Sequence, residues 1–136
     1  MSHRTGIQRI VPSLAYEDAP AAITFLCNAF GFAEVFRYPM PDGRVGHAEL
    51  SYEGNVVTLA SVYEGFGETP LKLPATSCTL WCFVDDVAAH HARALAAGAT
   101  ISSDVVEDHG LRFYRASDPE GHRWVFAQEL TEAGGA

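Results

Sequence analysis

The order of the predicted elements repeats along this chain of 136 residues. Each half reads as a strand, a helix and three further strands, because apolar spacing of three to four residues indicates helices and two-residue alternation indicates strands. Superposing Asp18 on Asp86, the predicted N-caps of the helices, brings Gly31 within one residue of Gly98, where each helix is predicted to end. The repeat predicts two similar modules of the α+β class.

The boundaries of the modules follow from the turns in each half. We predict a first module over residues 8–62, a connector over 63–77 and a second module over 78–130, within one domain that ends in a flexible tail at 131–136. The connector contains two glycines and two prolines and has no sustained period, which is typical of a loop.

Composition excludes several kinds of partner. The formal charge is −8 and the nine lysine and arginine residues are scattered, which argues against nucleic acid, because phosphates require clustered basic side chains. No apolar run reaches the roughly 18 residues of a membrane span, and the N-terminus lacks the apolar core of a signal peptide, so we expect a cytoplasmic protein. Cys27, Cys78 and Cys82 form no CxxC pair and are expected to be buried, reduced thiols.

The two-residue period divides each sheet into two faces. In the strand over 79–84, one apolar set is expected to pack on the helix of its module, which leaves Trp81 and Phe83 on the opposite face. A face that mixes aromatic, polar and small residues suits a ligand cavity. The residues assigned to this face are Thr79, Trp81, Phe83, His47, Glu49, Ser51, Thr58, Ala60 and Val125.

Three segments carry a resemblance to a known family: LAYEDAPAAITFLCNAFGF (14–32), FVDDVAAHHARALAAGA (83–99) and above all RFYRASDPEGHRWVFAQ (112–128). With them the chain resembles the vicinal oxygen chelate superfamily, which includes glyoxalase I, fosfomycin-resistance enzymes, extradiol dioxygenases and bleomycin-resistance proteins. The resemblance implies two βαβββ modules that form a curved mixed sheet around a trough, with the helices on the outer face. It also implies a homodimer.

The same resemblance implies where a metal would bind in an enzyme of the family. The matching positions here are Val11 and Thr58 in the first module and Thr79 and Val125 in the second. None of these side chains is an imidazole, thiolate or carboxylate donor of the kind that divalent metals require. We therefore predict no metal site and no cofactor.

His47 and Glu49 are the strongest polar candidates, because alternation places both on one strand face. Two interpretations are open. With a substrate between them they can act as base and acid, since histidine titrates near neutrality and a desolvated glutamate can approach it. Alternatively, they are a hydrogen-bonded structural pair on a half-exposed sheet.

Other candidates also have two interpretations. Trp81 and Phe83 are either core residues or the aromatic walls of the trough. Arg112 and Tyr114 either hold an anionic or planar ligand, or form a surface salt bridge and a tyrosine whose hydroxyl reaches solvent. Residues Tyr63 and Phe66 of the connector form either a lid or a dimer contact.

Two histidines are predicted to be structural. His91 falls with Val87 and Leu95 on the inward stripe of the second helix, and we expect it to be half buried. His122 belongs to the turn at Asp118 and is expected to stabilise the closing hairpin.

The sequence favours a metal-independent protein that binds a partly aromatic organic ligand or drug, as in antibiotic resistance of the bleomycin-resistance type. Whether it catalyses a reaction is open. The alternative is a lyase or isomerase of the glyoxalase type that uses His47 and Glu49 for proton transfer, without metal or with ligands at other positions. A third possibility is a filled trough that serves dimer structure or partner contacts.

Overall fold

The structure is a computed structural model that describes residues 8–130, so the tail predicted at 131–136 lies outside the described residues. The first module contains β1 (Ser13–Tyr16), α1 (Ala19–Phe30), β2 (Ala33–Pro39), β3 (Val45–Tyr52) and β4 (Asn55–Ser61). The second contains β5 (Thr79–Phe83), α2 (Val87–Ala96), β6 (Thr100–Asp108), β7 (Leu111–Ser117) and β8 (Arg123–Glu129). The segment between them includes a single turn of 3-10 helix, Pro70–Lys72. The predicted α+β class and the two βαβββ modules are confirmed.

The two helices begin and end where the capping residues predicted. The Asp18 side chain accepts a hydrogen bond from Ala21 N, and the Asp86 side chain accepts one from Ala89 N, each at 3.1 Å. Gly31 has φ = 85°, a left-handed conformation that favours glycine at the end of a helix. Neither helix has the length and apolar character that a membrane span requires, within the part of the chain that the structure describes.

Each module contributes one four-stranded sheet, in the orders β1-β4-β3-β2 and β5-β8-β7-β6. The first strand of each module runs parallel to the last strand, and the other pairs are antiparallel. Between residues 8 and 130, no strand of one sheet pairs with a strand of the other. β1 and β5 are therefore both edge strands.

β1 begins only at Ser13, directly after a proline. Proline at position 12 has no amide hydrogen for a strand ladder, although its carbonyl accepts a hydrogen bond from Thr58 N. The side-chain amide of Gln8 takes over the pairing at this end, since it accepts from Val56 N at 2.7 Å and donates to Val56 O at 2.9 Å.

The two modules share one hydrophobic core, because the helices pack on each other and on the inner faces of both sheets. Phe30, at the end of α1, lies with its ring centroid 5.5 Å from that of Trp124 and 4.6 Å from that of Phe126, both on β8. All three side chains are fully buried. The opposite face of each sheet consequently points away from this core.

The closing hairpin turn also joins the modules. Asp118 Oδ2 accepts hydrogen bonds from Tyr16 Oη of β1 at 2.5 Å and from Trp124 Nε1 at 3.2 Å. His122 Nε2 donates to Ala15 O at 2.8 Å. The structural role predicted for His122 is confirmed, and it extends from the hairpin to the first module.

Two details of the sequence prediction are wrong. His91 is half-buried as expected, but the inward stripe of α2 contains Val87, His90 and Ala94 rather than His91 and Leu95, and Leu95 is 56% exposed. The cysteines are less buried than expected, since Cys78 is exposed before the edge strand β5, and Cys27 and Cys82 are half-buried.

Candidate functional site

The face of the second sheet that points away from the core carries large aromatic side chains. Strand register places Trp81, Val125 and Arg115 in one row across β5, β8 and β7, and Phe83, Ala127 and Phe113 in the next row. A third row contains Thr79 and Arg123. We call this surface the aromatic face; it comprises Thr79, Trp81, Phe83, Phe113, Arg115, Arg123, Val125 and Ala127.

The small residues of β8 form the floor of the aromatic face, and larger side chains lie above them. Val125 and Ala127 are fully buried, whereas Trp81 is 49% exposed and Phe83 is 53% exposed. The ring centroids of Trp81 and Phe113 are 6.1 Å apart at an interplanar angle of 42°. Half-exposed rings in mutual contact provide an apolar surface on which a planar molecule can stack.

A cavity of about 370 Å³ borders the aromatic face, between the edge of β5 and the start of β4. We call it the Trp81 cleft. Its apolar lining includes Phe32, Val57, Leu80, Trp81, Phe83 and Trp124. Gln8, Tyr52, Glu53 and Asn55 supply polar groups. A mostly apolar lining with a few polar groups is typical of small-molecule sites.

Two titratable side chains of the Trp81 cleft are held in their neutral forms. Burial raises the pKa of the Cys82 thiol to about 12, so this sulfur is not a thiolate nucleophile at neutral pH. Burial also raises the pKa of the Tyr52 phenol, and the nearby Cys82 and Glu53 reinforce that shift. Neither Cys82 nor Tyr52 therefore contributes a negative charge to the cleft at neutral pH.

The structure separates Arg112 and Tyr114 from Trp81. Tyr114 is fully buried on the helix side of β7, and its hydroxyl lies 2.6 Å from Nδ1 of His90. Arg112 forms a salt bridge to Glu107, with 2.6 Å between Nη2 and Oε2. Because alternation places residues 112 and 114 on the helix side, Phe113 and Arg115 occupy the aromatic face. These two residues were not identified as candidates from the sequence.

His47 and Glu49 lie together on β3, as their spacing predicted. His47 Nε2 is 3.2 Å from Glu49 Oε2; Glu49 is buried and His47 is half-exposed. Thr58 is the register partner of Glu49 on β4, and its hydroxyl donates to Pro12 O at 3.0 Å. This group belongs to the first sheet, so within one chain it is not part of the Trp81 cleft.

Tyr63 and Phe66 stack on each other in the connector, with 5.0 Å between ring centroids and 15° between planes. Phe66 lines a second cavity of about 250 Å³ with residues of β1 and β5, while Tyr63 is 57% exposed. Neither ring lines the Trp81 cleft. Both interpretations of these residues, a lid and a dimer contact, stay predictions.

The positions that hold metal in the resemblance do not fit a metal here. Val125 is buried under the aromatic face, and Thr79 and Thr58 offer only hydroxyl groups. Over residues 8–130, no group of three or more histidine, cysteine, aspartate or glutamate side chains could hold a metal ion. The donors present therefore do not match the requirements of a divalent cation.

Comparison with known proteins gives a family for this architecture. The chain is 39% identical over 127 residues to the uncharacterized protein Rv0887c of Mycobacterium tuberculosis, covering 89% of this chain and 74% of that one. It is similar to the crystal structure of TioX from Micromonospora sp. ML1, with a TM-score of 0.75, 32% identity and coverage of 96% and 100% of the two chains. It also shares its fold with TnmS3, an antibiotic-binding protein from Streptomyces sp. CB03234, with a TM-score of 0.67, 23% identity and coverage of 95% and 97%. The family model described as Glyoxalase/Bleomycin resistance protein/Dioxygenase superfamily matches residues 6–126, and the chain belongs to that superfamily.

Proposed function

We propose that this protein binds a small, partly aromatic organic molecule against Trp81 and Phe83, and that binding requires no metal. The observation that carries the proposal is the exposure of these two side chains, 49% and 53%, on a sheet face with a packed apolar floor. Stacking on such rings contributes about 0.5–1.5 kcal/mol for each aromatic contact beyond the area buried. The Trp81 cleft beside them has the volume of a small-molecule site.

Sequestration of the ligand is the activity we propose. The antibiotic-binding protein TnmS3 has the same fold and supports this kind of function for the architecture. The family positions for metal ligands, where this chain has valine and threonine, support binding without metal. A cytoplasmic location stays a prediction from the sequence.

We also propose a homodimer in which the polar group of one copy faces the aromatic face of the other. His47, Glu49 and Thr58 lie on the first sheet, and Trp81 and Phe83 lie on the second. Because the inner faces of both sheets share one core, a single chain directs the two groups away from that core. A second copy would bring them together into one trough.

Intrinsic fluorescence provides a test, because the chain has two tryptophans in different surroundings. Trp81 is half-exposed and Trp124 is 1% exposed. A planar drug that stacks on the aromatic face is expected to quench Trp81, and Trp81→Leu is expected to weaken binding by about tenfold, the equivalent of 1.4 kcal/mol. Isothermal titration of both proteins across a panel of planar drugs measures the affinity.

The matched control is Leu95→Ala, which removes a similarly exposed apolar side chain from α2, away from both sheet faces of the proposed trough. It is expected to leave the affinity unchanged. Equal affinity of the wild type and the Trp81→Leu variant for every ligand that binds would contradict the proposal. So would a failure of the wild type to bind any member of the panel.

The contact between His47 and Glu49 supports a second candidate function, a lyase or isomerase of the glyoxalase type. A half-exposed imidazole 3.2 Å from a buried carboxylate is a geometry in which a proton can be taken up and passed on. Exchange of a proton next to a carbonyl group, followed by NMR in deuterated water, tests this candidate. Exchange that persists unchanged in His47→Ala and in Glu49→Gln would reject it.

A further inference from the structure

Arg115 on the aromatic face has no carboxylate partner among residues 8–130. Four other cationic side chains of this acidic protein each have an acidic partner. The ion pairs of the described residues include Arg37 with Glu34, Arg44 with Asp42, Lys72 with Glu17 and Arg112 with Glu107. An exposed guanidinium without an acidic partner retains its capacity to bind an anion.

The guanidinium of Arg115 is positioned by the aromatic side chains beside it. Its Cζ atom lies 5.7 Å from the ring centroid of Phe113, within the range of a cation–π contact. Arg115 also shares a sheet row with Val125 and Trp81. A planar molecule stacked on Trp81 and Phe113 would therefore present its edge to this cation.

A second cation adds to the positive character of this end of the face. Arg123 lies one row away, and its Nη2 donates to Thr76 O at 3.4 Å. It has no carboxylate partner in the described part of the chain. On the same side of β8, the nearest acidic residue is Glu129. It lies four residues beyond Val125, and hence about 13 Å from Val125 along the strand.

We infer that the ligand is a planar aromatic molecule that carries an anionic oxyacid group, such as a carboxylate, sulfonate or phosphate, and that Arg115 binds this group. The inference rests on the proposed function, because it takes the aromatic face as the binding surface. Arginine suits the role, since its planar fork binds an oxyanion through two parallel hydrogen bonds and also stacks on rings.

Two fluorescent probes with the same ring system separate charge from stacking. Anilinonaphthalene sulfonate carries the anionic group, and phenylnaphthylamine lacks it. Wild-type protein is expected to bind the sulfonate more tightly, and Arg115→Gln is expected to reduce that affinity by about tenfold, as for the loss of one charge-assisted hydrogen bond at a half-exposed site. Affinity for phenylnaphthylamine should remain unchanged.

Arg112→Gln is the matched control, because Arg112 lies on the same strand but on the other side of the sheet. It is expected to change neither affinity. Added salt should weaken sulfonate binding to the wild type and have little effect on the Arg115→Gln variant, because salt screens exposed charges.

The outcomes distinguish this inference from the proposed function. Binding of both probes with equal affinity, lost in Trp81→Leu, would overturn the inference and leave the proposed function standing. Failure of both probes to bind, or binding that does not depend on Trp81, would overturn both. If Arg115→Gln converts a dimer to a monomer in sedimentation and retains the wild-type preference for the sulfonate, Arg115 pairs with the second copy and the inference is wrong.

Discussion

At the scale of single residues, Asp118 is the most densely bonded side chain of the closing hairpin. It accepts hydrogen bonds from Tyr16 and Trp124 on Oδ2 and from the backbone N–H groups of Glu120 and His122 on Oδ1. Burial raises the pKa of its carboxyl group, while these hydrogen bonds oppose the shift. The hydrogen bonds thus offset part of the desolvation cost of a buried carboxylate.

We expect Tyr16→Phe to lower the free energy of unfolding by about 1–3 kcal/mol, because it removes one donor from a buried carboxylate. Tyr38→Phe, at a tyrosine that is 59% exposed, is the control and should change stability little. Urea denaturation followed by circular dichroism measures both. Equal stabilities for the two variants would show that the Tyr16 hydroxyl is dispensable.

His90 should make stability depend on pH. Burial lowers its pKa, and Nδ1 accepts from Tyr114 Oη while Nε2 donates to Phe30 O at 2.9 Å. Since the unfolded chain binds the proton more readily, stability is lost as the pH falls below about 6.5 toward the lowered folded value.

Urea denaturation between pH 5 and 7.5 measures the free energy of unfolding. In the His90→Gln variant, this free energy is expected to depend less on pH at the acid end of the range. His109→Gln is the control, because His109 lies exposed in a turn. If the free energy of unfolding of the His90→Gln variant depends on pH as steeply as that of the wild type, a group other than His90 causes the dependence.

At the scale of elements, helix α1 is capped from the other module. Both oxygens of the Glu120 carboxylate accept hydrogen bonds at 2.7 Å, one from Glu17 N and one from Asp18 N. These amides precede α1, where a negative charge also interacts favourably with the helix dipole. The turn of the second module therefore fixes the start of the first helix.

Glu120→Ala is expected to lower the free energy of unfolding by roughly 2 kcal/mol, since it leaves two amides without an acceptor. Asp18→Ala, which removes the N-cap within the first module, should cost about 1 kcal/mol. Urea denaturation of both variants shows which substitution lowers the free energy of unfolding more. The opposite order would place the main cap of α1 within its own module.

Local pattern predicted the elements well and their mutual contacts poorly. The caps at Asp18 and Asp86 follow from rules that act over a few residues. Alternation also placed Trp81 and Phe83 on the face opposite the helix, where the structure exposes them, although their role in binding stays a prediction.

The errors arose where the pattern was ambiguous. Residues Arg112 to Arg115 have the order arginine, phenylalanine, tyrosine, arginine, so each strand face would carry one arginine and one aromatic ring. Only pairing with β8 shows which of the two faces the core. The contact between Glu120 and the start of α1 joins residues about a hundred positions apart. No local rule reports such a contact.

At the scale of the whole molecule, the shared core predicts one cooperative unit. Phe30 of the first module packs on Trp124 and Phe126 of the second, and Asp118 joins the modules through Tyr16. We expect a single unfolding transition, with Trp124 fluorescence in a Trp81→Phe variant coinciding with loss of far-ultraviolet circular dichroism. Two separated transitions would mean that the modules unfold independently.

The buried position of Val125 has a consequence for metal binding. In this chain the side chain is fully covered, and it shares the floor of the aromatic face with Ala127. A glutamate introduced there would meet packed side chains and would lose its hydration. A metal site at this position would therefore require several coordinated substitutions, because a new carboxylate alone would not find room or a second ligand beside it in the described part of the chain.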